Sequence, residues 1–262
     1  MVFQNSPSLY LTTTWRQCSA MPDPFNIGIV GAGLMGSRIG MRIASGDIPD
    51  FRLSGITDID ADRSAKLATE LGTVPVGKIA DFEDTDALYI ATPDSDHLQP
   101  CLEATEQNLP FLVEKPLATR VEDAERILKA VQDSGVPAEV NFSNRWNPPF
   151  VAVKDQLGQL GDFVTLTAAL NNTIASPTKN LSWAGNTTSA WFLISHCLDL
   201  AYWLHGRKAV SVYASGVRGI LSGRGIDTWD SIKVTVRYED GTDGTFESVW
   251  VLPGGNPSPV EF

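Results

Sequence analysis

The glycine-rich turn at residues 31–36 limits the fold of this chain more than any other feature. An apolar segment, Phe25 to Val30, runs directly into Gly31-Ala32-Gly33-Leu34-Met35-Gly36. Gly31 permits a tight turn, Gly33 lets a pyrophosphate approach the main chain, and Gly36 allows the next helix to pack against the strand. The pattern therefore predicts a strand, a turn and a helix that together bind a dinucleotide.

The start of this helix and the end of the next strand complete the predicted cofactor site. The N–H groups of the first helical turn, at Leu34 and Met35, are free and face the phosphates. A second strand pattern ends at Asp58, 22 residues after Gly36. A carboxylate there accepts hydrogen bonds from the ribose hydroxyls and repels a 2′-phosphate, so it favours NAD over NADP.

Alternatives stay open at this strand end. Asp60 is a second candidate for the ribose, and Arg63 leaves binding of NADP open. Asp58 is also a candidate to cap a helix that begins near Ala61, which is a purely structural role.

Composition excludes several classes of function. The chain has 262 residues, 43% hydrophobic and 19% charged, with a formal net charge of −11. Without a run of Lys or Arg, an acidic chain is unsuited to nucleic acid or an anionic membrane surface, and no apolar stretch is long enough to span a bilayer. Cys18, Cys101 and Cys197 have neither disulfide nor metal spacing, so we expect no metal and a cytoplasmic protein with reduced thiols.

Strand and helix patterns alternate from Phe25 to Phe142. They predict an α/β fold with a Rossmann-type doubly wound parallel sheet at residues 25–143. Later strands alternate polar and apolar residues around a helix at Thr188 to Leu204, which predicts an α+β domain with a mainly antiparallel sheet at residues 144–262. Residues 1–24 lack the basic start and apolar run of a secretory signal, and we expect them to be a disordered extension.

A second set of polar residues follows two further strand patterns. Glu114 and Lys115 end one strand, and Thr92, Pro93 and His97 follow its neighbour. Ligands of doubly wound sheets bind at the carboxyl ends of the strands, so all five are candidates to line the same crevice. A surface lysine in a loop is the alternative for Lys115.

With these motifs in place, the chain resembles the Gfo/Idh/MocA oxidoreductase family. The glycine turn, Asp58, Ala91-Thr92-Pro93 with His97, and Glu114-Lys115-Pro116 carry the resemblance, as do Arg145-Trp146-Asn147-Pro148 and the helix with His196 and Asp199. The resemblance covers about residues 25–262. It implies an NAD(P)-dependent oxidoreductase that acts on a sugar, polyol or related cyclic alcohol or carbonyl compound.

The resemblance also implies roles for single residues. Lys115 polarises the substrate oxygen, His196 exchanges the proton, and Arg145 and Asp199 contact the substrate. His196 and Asp199 are three residues apart on a predicted helix and so share a face. The alternative for His196 is a core histidine in an aromatic helix.

Two departures from the family pattern affect these expectations. Phe192 stands one turn before His196, where the family's polyol dehydrogenases carry an aspartate, and this puts polyol chemistry in doubt. The second domain also looks shortened at its carboxyl end, which leaves sheet surface open, so we expect a homodimer through that sheet or a fragment. A non-catalytic dinucleotide-binding protein is the second hypothesis for function, and a methyltransferase is the third.

Overall fold

The computed structural model describes residues 23–254 and 260–261. The predicted extension at residues 1–24 therefore lies outside the described residues except for its last two positions. Cys18 lies outside them as well.

The first domain is a five-stranded parallel sheet with helices on both faces. Its elements are β1 (Phe25–Val30), α1 (Leu34–Ala44), β2 (Phe51–Thr57), α2 (Ala61–Leu71), β3 (Ala87–Ile90), α3 (Leu98–Glu106), β4 (Phe111–Glu114), α4 (Val121–Ser134) and β5 (Ala138–Asn141). The strand order is β2-β1-β3-β4-β5, and every pair is parallel. The predicted doubly wound sheet is confirmed.

Neighbouring residues of β1 show why both faces of this sheet are covered. Ile29 packs in an apolar cluster with Leu67 of α2, whereas Val30 packs in a separate cluster with Cys101 of α3 and Ile127 of α4. Successive side chains of a strand point to opposite faces. The continuous apolar run of β1 thus fills two cores, one on each side of the sheet.

The second domain is built on a mixed sheet. Its elements are α5 (Pro148–Leu160), β6 (Thr165–Leu170), α6 (Ser195–His205), β7 (Ala209–Val217), β8 (Ser231–Tyr238), β9 (Asp243–Val249) and β10 (Val260–Glu261). The order is β10-β6-β9-β8-β7, and only the β6–β9 pair is parallel. The prediction of a mainly antiparallel sheet is confirmed. The boundary predicted after residue 143 falls at the start of a 3₁₀ turn, Ser143–Trp146.

Three elements of this domain differ from the sequence prediction. The helix predicted from Thr188 to Leu204 begins instead as a π-helical turn, Ala190–Ile194, that leads into α6. The sequence pattern predicts no element between Trp146 and Phe163, yet α5 forms there; its two leading prolines are tolerated because the missing N–H of a first-turn residue has no partner in any case. The pattern at Thr245 to Leu252 predicts a strand, but β9 ends at Val249.

Helix α6 covers only part of the second sheet. Ile194 just before it, with Cys197 and Ala201 on it, packs against Val234 and Phe246 of the central strands. All nine residues of the edge strand β7 are exposed. None of the helices among the described residues has the length and hydropathy that a membrane crossing requires.

Candidate active site

A cavity of about 1060 Å³ lies between the carboxyl edge of the parallel sheet and the second domain. Of the residues predicted to bind the cofactor, it is lined by Gly31, Gly33, Leu34, Met35, Asp58, Thr92, Pro93 and Glu114. Lys115 lies in the wall, and Leu170, Trp183, Phe192 and His196 close it from the second domain. The structure therefore brings most of the predicted site residues together in one place.

Glycine occupies the three positions of the turn for different physical reasons. Gly31 has φ +100°, a conformation that disfavours other residues, and a Cβ on Gly36 would lie 1.9 Å from the carbonyl oxygen of Gly31. A Cβ on Gly33 would meet nothing within 4 Å. Gly31 and Gly36 are thus required by the fold, whereas Gly33 leaves open space in the cavity wall where a diphosphate approaches the main chain.

The amino end of α1 is suited to an anion. Gly33 is the residue before the first turn and provides no side-chain cap, and the first turn contains no acidic side chain. No carboxylate of the first turn therefore competes with a ligand for the N–H groups at Leu34 and Met35. Both residues line the cavity. This is the arrangement in which a helix N-terminus binds phosphate.

Asp58 connects the end of β2 to the glycine turn. Its Oδ2 accepts a 2.7 Å hydrogen bond from the Ala32 N–H, and its Oδ1 accepts one of 2.9 Å from the Asp60 N–H. Asp60, not Asp58, caps α2 by accepting from the Arg63 N–H at 3.1 Å. The capping alternative for Asp58 is therefore wrong, and its carboxylate is fixed in the cavity wall.

The Arg63 side chain lies beside this carboxylate. Arg63 Nη1 lies 3.6 Å from Asp58 Oδ1, and Nη2 donates a 3.2 Å hydrogen bond to Asp60 Oδ2. Arg38 of α1 also lines the cavity. A carboxylate at this position would repel a 2′-phosphate, whereas the arginines would attract one.

His97 is the predicted cofactor residue that the structure takes out of the cavity. It is 1% exposed; Nδ1 lies 2.7 Å from the carbonyl oxygen of Pro116 and Nε2 lies 3.0 Å from that of Thr92. The prediction that His97 contacts the cofactor is corrected: both ring nitrogens face the backbone. Its place in the fold is to hold the loops after β3 and β4 together.

Glu114 lies at the end of β4 and is largely buried in the cavity wall. The Tyr89 hydroxyl donates a short hydrogen bond to its Oε1, and Asn141 Nδ2 donates another of 2.8 Å to the same atom. Burial, and then the charge of Glu114, raise the pKa of Tyr89. The neighbouring strands β3 and β5 thus fix this carboxylate from both sides.

Lys115 crosses from the first domain to the second. Its Nζ donates a 2.8 Å hydrogen bond to the carbonyl oxygen of Phe192 and lies 4.3 Å from the centre of the Phe192 ring. The side chain is buried, and burial lowers the pKa of Lys115, while the charges of Asp94 and Glu114 act in the opposite direction. The alternative of a surface lysine is wrong.

His196 lies in the first turn of α6 and lines the cavity. Its Nδ1 is buried and has no hydrogen-bond partner among the described residues. Burial, with a smaller contribution from the Lys115 charge, lowers the pKa of His196 to about 3. The imidazole is therefore neutral at about pH 7.

Arg145 and Asp199 lie together outside the cavity lining. Arg145 Nε donates a 2.8 Å hydrogen bond to Asp199 Oδ2, and Nη2 donates a shorter one to Oδ1. Burial raises the pKa of Asp199, and Arg145 opposes this change. Asp199 shares a helix face with His196, but its carboxylate pairs with Arg145, and this ion pair joins the 3₁₀ turn before α5 to α6. Contact of either residue with substrate stays a prediction without support from this geometry.

Asp94 is a cavity residue that the sequence analysis missed. It is 4% exposed, and its Oδ2 accepts a 2.9 Å hydrogen bond from Thr187 Oγ1 of the second domain. Burial raises the pKa of Asp94, and the charge of Lys115 opposes this change most strongly. Its position directly after Thr92-Pro93, at the carboxyl end of β3, is the feature of the sequence that indicates a site residue.

This geometry defines a two-domain protein with a dinucleotide cleft and a polar cluster at the domain junction. The family model described as "Oxidoreductase family, NAD-binding Rossmann fold" matches residues 25–142, and the GFO/IDH/MocA C-terminal domain matches residues 155–262. The chain belongs to the Gfo/Idh/MocA family and contains its NAD-binding Rossmann domain. This membership argues against the methyltransferase alternative.

The relatives found among curated proteins include inositol dehydrogenases. Inositol 2-dehydrogenase 2 of Saccharopolyspora erythraea is 31% identical over 72% of this chain and 56% of its own length. Inositol 2-dehydrogenase of Rubrobacter xylanophilus is 27% identical over 90% of this chain and 67% of its own length. The chain thus spans a little over half of the length of the Saccharopolyspora erythraea protein.

Solved structures share the fold. Scyllo-inositol dehydrogenase from Lactobacillus casei, with bound NAD(H) and scyllo-inositol, has a TM-score of 0.80 at 21% identity, over 91% of this chain and 72% of that chain. Myo-inositol 2-dehydrogenase from Lactobacillus plantarum has a TM-score of 0.79 at 18% identity, over 91% and 76% of the two chains.

Proposed function

We propose that the protein is an NAD-dependent oxidoreductase that transfers a hydride between nicotinamide and the carbinol carbon of a cyclic alcohol. The observation that carries this proposal is the meeting of Lys115 and His196, one from each domain, in the cavity that begins at the glycine turn. A cyclic polyol is the favoured substrate class, because curated relatives are named as inositol dehydrogenases.

Lys115 and His196 have different roles in the proposed oxidation. NAD, held by the glycine turn and Asp58, would supply the acceptor for the hydride of the carbinol carbon. Lys115 donates a hydrogen bond to the substrate oxygen and stabilises the negative charge that develops there. The neutral His196 imidazole takes the hydroxyl proton, so the O–H electron pair forms the carbonyl bond as the C–H pair leaves with the hydride. Reduction follows the same path in reverse.

Asp58 supports NAD as the preferred cofactor. Its two oxygens are fixed by backbone N–H groups and have lone pairs left for the two ribose hydroxyls. Arg38 and Arg63 favour some binding of NADP. Titration of the protein with NADH and with NADPH, monitored by protein fluorescence, tests whether NAD is preferred over NADP. Tighter binding of NADPH would reverse the assignment.

The activity itself is tested with NAD and a panel of cyclic alcohols that includes myo-inositol, by the absorbance of NADH formed. We expect turnover that is lost in Lys115→Met and in His196→Gln. Phe192 favours the second hypothesis, a dinucleotide-binding protein without turnover, because its ring lies against Lys115 at the position where the family's polyol dehydrogenases carry an aspartate. Tight NAD binding with no oxidation of any alcohol would support that hypothesis instead.

We also propose a homodimer through the open sheet of the second domain. Tyr213 and Val217 of β7 are 73% and 61% exposed. Tyr213 is paired with Thr235, which is exposed, whereas the adjacent Val234 and Val236 point to the helix-covered face. Tyr213 therefore lies on the open face, where an apolar patch is typical of an interface.

Light scattering tests this arrangement. We expect a dimer for the wild-type chain and a monomer for Tyr213→Lys, because a buried ammonium without a partner is unfavourable. Val153→Lys is the matched control, since Val153 of α5 is also exposed, at 42%, but lies away from the sheet. A wild-type monomer, or equal effects of the two substitutions, would contradict the proposed interface.

A further inference from the structure

Asp94 is a buried carboxylate at the domain junction that the proposed hydride and proton steps do not use. Its Oδ2 is bound by the Thr187 hydroxyl at 2.9 Å, while Oδ1 has no hydrogen-bond donor among the described residues. The residue lines the cavity together with Lys115 and His196. Asp94 is 4% exposed as a residue, but its Oδ1 is not among the enclosed atoms that lack a partner, so a hydroxyl bound in the cavity can supply this donor.

Several polar side chains line the cavity, among them Asn144, Asn180 and Ser182, but Asp94 is the carboxylate whose charge acts most strongly on Lys115. The Phe192 carbonyl is occupied by Lys115, and the Phe192 and Trp183 side chains present rings. Glu114 Oε1 already accepts from Tyr89 and Asn141. The charged and titratable groups that face Asp94 are Lys115, His97 and Glu114, of which Lys115 is the strongest.

We propose that Asp94 determines substrate specificity: its carboxylate accepts a hydrogen bond from a hydroxyl adjacent to the one that is oxidised. The inference rests on the proposed function and narrows its substrate class to compounds with vicinal hydroxyl groups. Lys115 then donates to the reacting oxygen while Asp94 accepts from its neighbour, so the pair recognises a diol. A site that hydrogen-bonds a substrate hydroxyl discriminates strongly against the analogue that lacks it, because its own polar group is left unpaired.

The experiment compares a polyol with an alcohol that has only the reacting hydroxyl. We would measure kcat/KM with NAD for myo-inositol and for cyclohexanol in the wild type, Asp94→Asn and Thr187→Val. For Asp94→Asn we expect a loss of roughly 10- to 100-fold with myo-inositol and of less than about threefold with cyclohexanol. Thr187→Val keeps the carboxylate but removes its anchor, so its loss should be smaller and again confined to myo-inositol.

Two results would overturn the inference. Equal losses with both alcohols, with a shifted pH profile, would mean that Asp94 acts only through the charge of Lys115. Failure of the wild type to bind myo-inositol in calorimetry, while it oxidises cyclohexanol, would remove the diol class and leave the proposed function intact. If Asp94→Asn does not fold, Thr187→Val provides the same comparison between the two alcohols.

A protein that oxidises neither alcohol would contradict the proposed function separately. Calorimetric titration of the NADH-saturated protein with myo-inositol then decides the role of Asp94 without turnover. Binding weakened tenfold or more in Asp94→Asn, with an unchanged NADH dissociation constant, would support the inference. Equal binding by both proteins, or by neither, would overturn it.

Discussion

The ammonium of Lys115 is held by Phe192 in two ways, through a 2.8 Å hydrogen bond to the backbone carbonyl and through a ring whose centre lies 4.3 Å away. Lys115 follows β4 of the first domain, and Phe192 lies in the π-helical turn that precedes α6 of the second. The contact therefore fixes both the side chain and the junction on which the cavity depends. A desolvated cation beside an aromatic face gains about 2 kcal/mol in favourable cases.

Replacement of Lys115 by Met should lower the turnover rate and leave the affinity for the cofactor nearly unchanged. Met keeps most of the apolar length of the side chain but cannot polarise a substrate oxygen. We expect turnover to fall by at least about 100-fold, while the NAD dissociation constant changes by less than about threefold. Lys129→Met, at an exposed lysine paired with Asp133 on α4, is the control and should leave both values unchanged. Retained turnover in Lys115→Met would contradict the assigned role.

Alanine substitutions in the glycine turn should have opposite consequences at two positions. In Gly33→Ala the new methyl group meets no protein atom, so the thermal midpoint should stay within a few degrees while NAD binds at least about tenfold more weakly. In Gly36→Ala the methyl group would lie 1.9 Å from the Gly31 carbonyl oxygen, so the protein should lose about 1–3 kcal/mol or more of stability. Calorimetric melting and NADH titration measure the two effects.

If Gly33→Ala binds NAD as the wild type does, the diphosphate does not approach the main chain at residue 33. A stable Gly36→Ala protein would instead mean that α1 can move away from β1.

Local pattern was sufficient to predict the first domain and its cleft. Gly31, Gly33 and Asp58 act through backbone geometry and the ends of parallel strands, and both are properties of short segments. The apolar runs of β1 and β3 and the helices between them follow from the same periodicity. The carboxyl ends of the parallel strands therefore predict the position of the cavity from the sequence alone.

Contacts between distant segments could not be predicted in this way. His97 follows the right strand end, but its ring is turned to the Pro116 and Thr92 carbonyls by packing of two loops. Asp199 lies on the face of His196 by helical spacing, yet Arg145, 54 positions earlier, binds it. The bond from Thr187 to Asp94 spans 93 positions, so no local pattern could reveal that this carboxylate belongs to the site.

The two aspartates after β2 should differ in their effect on cofactor binding. Asp58→Ala removes the acceptor fixed in the cavity wall, so NAD binding should weaken about tenfold or more, and binding of NADP should weaken less because Arg63 is released. Asp60→Ala removes the cap of α2 and an exposed ion pair with Arg63, which should cost about 1 kcal/mol of stability and leave NAD affinity nearly unchanged. Fluorescence titrations with both cofactors, beside melting curves, provide the comparison. A greater loss of NAD affinity in Asp60→Ala would move the ribose contact to that residue.

His196 should make the stability of the fold depend on pH. Its pKa is about 3 in the folded protein and about 6.5 in the unfolded chain, so only the unfolded chain takes up the proton between these values. The free energy of unfolding should therefore fall as pH decreases, by about 2 kcal/mol from this group between about pH 7.5 and about pH 5. His205, whose pKa is lowered by burial, adds to this fall in stability, whereas Asp94, whose pKa is raised by burial, opposes it.

Comparison with His196→Gln isolates the contribution of this imidazole, because the other groups titrate in both proteins. Urea unfolding at the two pH values should show a loss that is larger in the wild type than in the variant by the same amount of about 2 kcal/mol. Equal losses in the two proteins would mean that His196 reaches water and is protonated in the folded state. The neutral imidazole required for accepting the hydroxyl proton would then be absent at about pH 5, and the oxidation should slow over that same range.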